Sequence, residues 1–105
     1  MGEKLMATTV TRISVQDLCE QEGLASSTVT QIVQYEIAEP VAGTSVRDWV
    51  FDTTGSHWIK KALRLQRDLE LEWLAVALLV DLLRERESLM RENRQLRRRL
   101  GRLEG

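Results

Sequence analysis

Apolar positions along this chain fall at helical spacing, with sharp interruptions. Val15 and Leu18, with Cys19 beside them, follow Ser14-Val15-Gln16-Asp17, a hydroxyl with an acid three residues on. That is a capping-box-like start and predicts a helix that stops near Gly23. Gly23-Leu24-Ala25 reads as a tight turn. Ser26 or Ser27 is expected to cap a second helix, whose apolar positions are Val29, Ile32, Val33 and Ile37. Its end is expected at Glu39-Pro40, because the residue before proline avoids the α region. Two helices joined by a three-residue turn containing glycine give the helix-turn-helix outline.

The flanking segments extend the outline. Thr8 to Ile13 alternates loosely, is rich in β-branched residues and reads as a short strand. Val41 to Val46, with Gly43, Thr44 and Ser45, reads as the tip of a hairpin, or wing. Trp49-Val50-Phe51 is the return strand, with Trp49 and Phe51 on one face and more suited to fastening the wing than to binding. Asp52 or Thr53 should cap a third helix, about Thr54 to Leu69, with a stripe of Trp58, Ile59, Ala62, Leu63, Leu65 and Leu69. Glu70-Leu71-Glu72 looks like a break before a fourth helix beginning near Trp73.

That fourth helix runs to Leu103 without an obvious stop. Leu82, Leu89, Leu96 and Leu103 recur every seven residues. With these at d, the a positions are Leu79, Arg86, Asn93 and Leu100, and an asparagine at a sets register at a cost in stability. From Leu79 to Leu103 the helix is roughly 37 Å long at 1.5 Å per residue. So long a stripe exceeds what a small head can cover, and a coiled coil with a second copy is expected, through Leu79, Leu82, Leu89, Asn93, Leu96, Leu100 and Leu103. A parallel pair would set Glu92 against Arg97 and Arg99 against Glu104. Exposed ion pairs contribute only about 0–1 kcal/mol each, so they leave the antiparallel alternative open. The fold class is therefore mainly α: a tail over 1–9 with the start of the first strand, a winged helix-turn-helix head with its third helix over 10–71, and a long dimerisation helix over 72–105.

Composition narrows the chemistry. The chain has 105 residues, 43% hydrophobic and 30% charged, so one thin core is expected and a partner subunit would help it. Cys19 is the single cysteine, which rules out an internal disulfide; a small buried hydrophobe is the expected role. His57 is the single histidine and has no second histidine or cysteine to share a metal, nor a nucleophile to activate. Neither a glycine-rich phosphate loop nor a metal or cofactor site is read, and an enzyme finds no support. The stretch Trp73 to Leu83 is broken by Asp81 and too short to span a bilayer, and MGEKLMATTV lacks the apolar region of a signal peptide. Met6 offers an alternative start. A soluble, cytoplasmic protein is expected.

The net charge of −1 is unevenly spread. Residues 1–52 carry Lys4, Arg12 and Arg47 against eight carboxylates, a balance of −5, while residues 84–105 carry eight arginines against four glutamates, +4. The ends should meet different partners. Arg97-Arg98-Arg99 reads first as a solvated helix surface with pairing between chains.

The order of helix-turn-helix, wing, third helix and coiled coil resembles MerR-type proteins. Trp49-Val50-Phe51-Asp52, Ala62-Leu63-Arg64-Leu65 leading to Asp68-Leu69-Glu70-Leu71-Glu72-Trp73, then Ala75-Val76-Ala77-Leu78, and the tail Glu92-Asn93-Arg94-Gln95-Leu96-Arg97-Arg98-Arg99-Leu100, together resemble the chaperone-modulator family CbpM. Leu74-Ala75 stands where relatives often have Pro-Gly. The resemblance covers about Val10 to Leu103. It implies a small non-catalytic dimer that binds the J-domain of CbpA, a DnaJ-like co-chaperone that also binds DNA, and inhibits its work with DnaK.

The expected reading helix, SSTVTQIVQYEI over residues 26–37, holds no lysine or arginine and one acid, Glu36. Thr28, Gln31 and Gln34 offer hydrogen bonds to bases. Counterion release from phosphates drives DNA binding, so this helix lacks the grip an operator needs. Direct DNA binding is not expected; a MerR-like transcriptional regulator is the alternative reading. J-domains, as the resemblance implies, use a basic second helix beside a His-Pro-Asp loop to engage DnaK. Glu36, Glu39, Asp48, Asp68, Glu70 and Glu72 would complement such a helix, with Tyr35, Leu71 and Trp73 as candidate apolar anchors.

Overall fold

The computed structural model describes residues 11–104. The tail over 1–9, the alternative start at Met6 and Thr8 to Val10 of the expected strand lie outside the described residues. Within them the order is β1 (Ile13–Ser14), α1 (Val15–Glu22), α2 (Ser26–Gln34), a 3-10 turn (Val46–Asp48), β2 (Val50–Phe51), α3 (Thr53–Leu69) and α4 (Trp73–Glu104). β1 and β2 pair antiparallel, with Ile13 opposite Phe51 and Ser14 opposite Val50. The wing closes on the same strand: Val41 N–H donates to the Val50 carbonyl at 2.8 Å, and Val50 N–H to that of Ala42 at 3.0 Å.

The helix boundaries follow local chemistry. Ser14 caps α1, its hydroxyl accepting from Asp17 N–H at 3.1 Å, and Gly23 ends it in left-handed backbone at φ 68. Asp52 caps α3 by accepting from Gly55 N–H at 2.8 Å. α2 departs from expectation at both ends. Its N-cap is Ala25, with no side-chain cap, and Ser26 and Ser27 lie inside the helix. It stops at Gln34, not at Glu39-Pro40. Glu36 N–H bonds the Val33 carbonyl and Ile37 N–H the Ile32 carbonyl, with Glu36 left-handed at φ 60. This is a Schellman termination, stapled by the buried pair Ile32 and Ile37, with glutamate where glycine usually stands. Glu70 ends α3 in the same conformation, at φ 52, so the break before Trp73 is real.

One core joins every helix. Val15 and Leu18 of α1, Val29 and Ile32 of α2, Ile37, Phe51, and Trp58, Ile59 and Ala62 of α3 meet Val76, Ala77 and Val80 of α4. Cys19, Trp49 and Trp73 are half-buried against it. Leu69, expected in the α3 stripe, is exposed, because α3 turns away at Glu70. Gly43 holds the wing tight: at φ 102, a Cβ there would lie 2.3 Å from the Asp48 carbonyl oxygen.

A non-glycine residue in left-handed backbone costs about 1 kcal/mol or more, partly offset by its lower freedom when unfolded. Glu36→Gly and Glu70→Gly are each expected to raise stability by roughly 0.5–1 kcal/mol, read from urea denaturation at fixed protein concentration. Gly43→Ala should lower it.

Candidate partner-binding surfaces

The nine residues expected to meet a partner fall in three places. Tyr35, Glu36 and Glu39 lie on one loop, directly after α2. Asp48 is on the 3-10 turn of the wing, where it accepts from the Ser45 hydroxyl at 3.2 Å. Asp68 ends α3, and Glu70, Leu71, Glu72 and Trp73 form its turn into α4. α3 and α4 run as an antiparallel pair, with His57 beside Glu87 and Trp58 beside Arg84. The loop after α2 docks at Arg84, twelve residues along α4 from Glu72, about 18 Å of helix axis. The loop after α2 and the α3–α4 turn are thus separate acidic patches.

Arg84 fixes the first patch. Its guanidinium donates to the Glu36 carbonyl at 3.3 Å and to the Ile37 carbonyl, and stacks over the Trp58 ring, 5.2 Å from the centroid. Asp81, 3.7 Å away, steadies it. A planar fork suits two adjacent carbonyls in a way that a lysine ammonium does not. The loop it holds exposes Tyr35 (41%) and Val41 (44%) together with Glu36 and Glu39. At the other patch, Leu71 and Trp73 are half-buried while the acids are exposed. Sequence periodicity gave no sign of Arg84, because an arginine on a long helix reads as solvated surface.

The second surface is the outer face of α4. Leu82 (63%), Leu89, Leu96, Leu100 and Leu103 (83%) are exposed, as is Asn93; Leu79 is half-buried. Leu74 and Leu78 extend the exposed stripe toward the head. They escaped the heptad reading because they step by four from Leu82, keeping one helix face without the seven-residue repeat. Leu82, Arg86, Leu89, Met90 and Asn93 line a shallow groove there.

Other candidate chemistry stays structural. Burial pushes the Cys19 thiol up from its ordinary pKa, making it a poorer nucleophile. His57 is half-exposed, 4.0 Å from Glu87, with its ring edge-on to Trp58. Among the described residues no group of His, Cys, Asp and Glu could hold a metal, and no helix is long and apolar enough to cross a membrane.

The family model for MerR HTH family regulatory proteins matches residues 13–98. The chaperone modulatory protein CbpM of Pseudomonas entomophila is 37% identical over 98 residues, covering 93% of this chain and 96% of its own. That of Pseudomonas putida strain W619 is 35% identical over the same shares. That of Salmonella newport is 32% identical over 97 residues, 92% of this chain and 95% of its own.

Arg84→Met should cost on the order of 1–2 kcal/mol by urea denaturation, since two carbonyls lose a charged donor. Amide exchange at Glu36, Ile37 and Ala38 should accelerate, and Arg84→Lys should fail to restore it.

Proposed function

The chain belongs to the MerR-type helix-turn-helix family and, within it, to the CbpM chaperone modulatory proteins, and from that membership we propose that it is a non-enzymatic chaperone modulator that binds the J-domain of a CbpA-like co-chaperone. It inhibits by covering the basic face that DnaK would use. The observation that carries this reading is the charge of the helix-turn-helix: α2 holds no cation, and the loop that follows it presents Glu36 and Glu39. DNA needs the opposite charge there. A basic protein helix finds complementary charge, with association faster and more salt-sensitive for it.

Of the three acidic places, the loop after α2 is the best first contact. It combines carboxylates with Tyr35, an exposed aromatic of the kind from which an interface draws much of its affinity. Glu36, like Glu70 at the α3–α4 turn, holds left-handed backbone that glycine would adopt more cheaply. Local strain of this kind clusters at functional positions. Asp68, Glu70 and Glu72, with Leu71 and Trp73, form a secondary contact along the same long helix pair, and Asp48 adds to the negative field from the wing. A partner that works with DnaK puts the protein in the cytoplasm.

The active form is a homodimer through α4. Leu82, Leu89, Leu96, Leu100 and Leu103 form an exposed apolar stripe far longer than a soluble helix tolerates alone, with Asn93 setting register. In this arrangement residues 10–71 form the head and 72–105 the dimerisation helix, whose first turns also complete the head's core.

Two measurements test these readings. Titration with a CbpA-type J-domain should give binding that weakens with salt. Reversing Glu36, Glu39, Asp68 and Glu70 to lysine should weaken it at least tenfold; unchanged affinity removes the electrostatic account, and a specific gel shift at moderate salt without J-domain binding supports the transcriptional alternative. In sedimentation, the wild-type chain should run as a dimer at micromolar concentration and Leu89→Glu/Leu96→Glu as a monomer.

A further inference from the structure

Four of the eight arginines of α4 share one face. Arg91, Arg94, Arg98 and Arg102 recur at spacings of three, four and four, which places them on one helix face. Arg91 and Arg98 follow Leu89 and Leu96 by two positions, about 200° round the helix, so this ridge points away from the leucine stripe. It is roughly 16 Å long at 1.5 Å per residue. Between Arg91 and Arg102 the only acid is Glu92, on the flank toward the leucines. All four arginines are exposed. Among the described residues the ion pairs are His57 with Glu87, Lys60 with Glu22, Arg67 with Asp68 and Arg84 with Asp81, and none of them draws on the ridge. Glu87, held at His57, marks its near end.

We propose that this ridge binds the phosphate backbone of nucleic acid, without sequence preference and independently of the helix-turn-helix. Three features favour phosphodiester over an acidic protein surface. The cations are all arginine, whose fork matches phosphate oxygens in pairs. Their axial spacing, about 4.5–6 Å, lies between one and two of the roughly 3.4 Å axial steps between phosphates on one strand, so each arginine can meet a separate phosphate. The face has no apolar anchor: Gln95 and Gly101 lie among the arginines, and a protein interface without such an anchor is weak, whereas phosphate binding needs only charge. Arg94 also edges the groove beside the leucines, whereas Arg91, Arg98 and Arg102 face away from it, so dimerisation leaves the ridge's outer face open.

The test is fluorescence anisotropy of the full chain with a labelled 20-base-pair duplex of arbitrary sequence, over a salt series. Four contacts predict a slope of about −3.6 in log K against log salt, on the order of 100-fold weaker binding between about 50 and 200 mM. Substituting all four arginines by glutamine, a good helix former, should weaken binding at least tenfold with helicity and dimerisation intact, and lysine at the same positions should restore the salt dependence but only part of the affinity. The proposal is overturned by no salt-dependent binding at low salt, or by binding that the glutamine variant keeps. It is equally overturned if the triple variant Thr28→Ala/Gln31→Ala/Gln34→Ala abolishes binding, which would return DNA to α2, or if poly-glutamate binds as tightly as the duplex, which would point to an acidic protein.

Discussion

The packing of α4 against α3 is the constraint from which the rest of the molecule follows. The helix-turn-helix and wing alone supply too little apolar surface for a stable core. Val76, Ala77 and Val80 close it against Ile59 and Ala62. A helix that must complete the head with one face, and then continue to Glu104, necessarily carries its remaining apolar face into solvent. The same segment also brings Arg84 to the carbonyls after α2. Core closure, placement of the acidic loop and the exposed leucine stripe are thus three consequences of one helix.

This arrangement separates charge along the molecule. The head is acidic where a DNA-reading domain would be basic, and the far half of α4 is basic. Opposite fields at two ends let one small protein meet two kinds of surface without competition between them. The chain matches the MerR HTH regulatory family and the CbpM proteins alike, and fold alone does not decide function. What distinguishes the proposed role here is the chemistry of one short loop: two carboxylates, a tyrosine and a valine, held by a forked arginine over a tryptophan.

Much of the fold was legible because its punctuation follows strong local rules. Ser14 and Asp52 have their oxygens three residues before a donor that needs one, and Gly23 supplies left-handed backbone where the chain must stop. The end of α2 was not legible. Glu36 does what glycine usually does, and the nearest sequence signal, Pro40, stands five residues past the C-cap, Tyr35. Ala25 as an uncapped N-cap was hidden by the serines that follow it. The candidate docking residues were legible as acids but not as places: only the long-range contact between Arg84 and Glu36, 48 residues apart, separates the loop from the α3–α4 turn. Leu74 and Leu78 were missed because two successive steps of four to Leu82 leave the alternation of three and four that a heptad keeps.

The most direct measurement is a chemical-shift titration of the isotopically labelled chain with an unlabelled CbpA-type J-domain. The account predicts saturable shifts centred on Tyr35 to Val41, smaller ones at Asp68 to Trp73, and none along the leucine stripe from Leu89 to Leu103. A J-domain that leaves Tyr35 to Val41 unperturbed, while duplex DNA shifts the amides of Ser26 to Gln34, would contradict it.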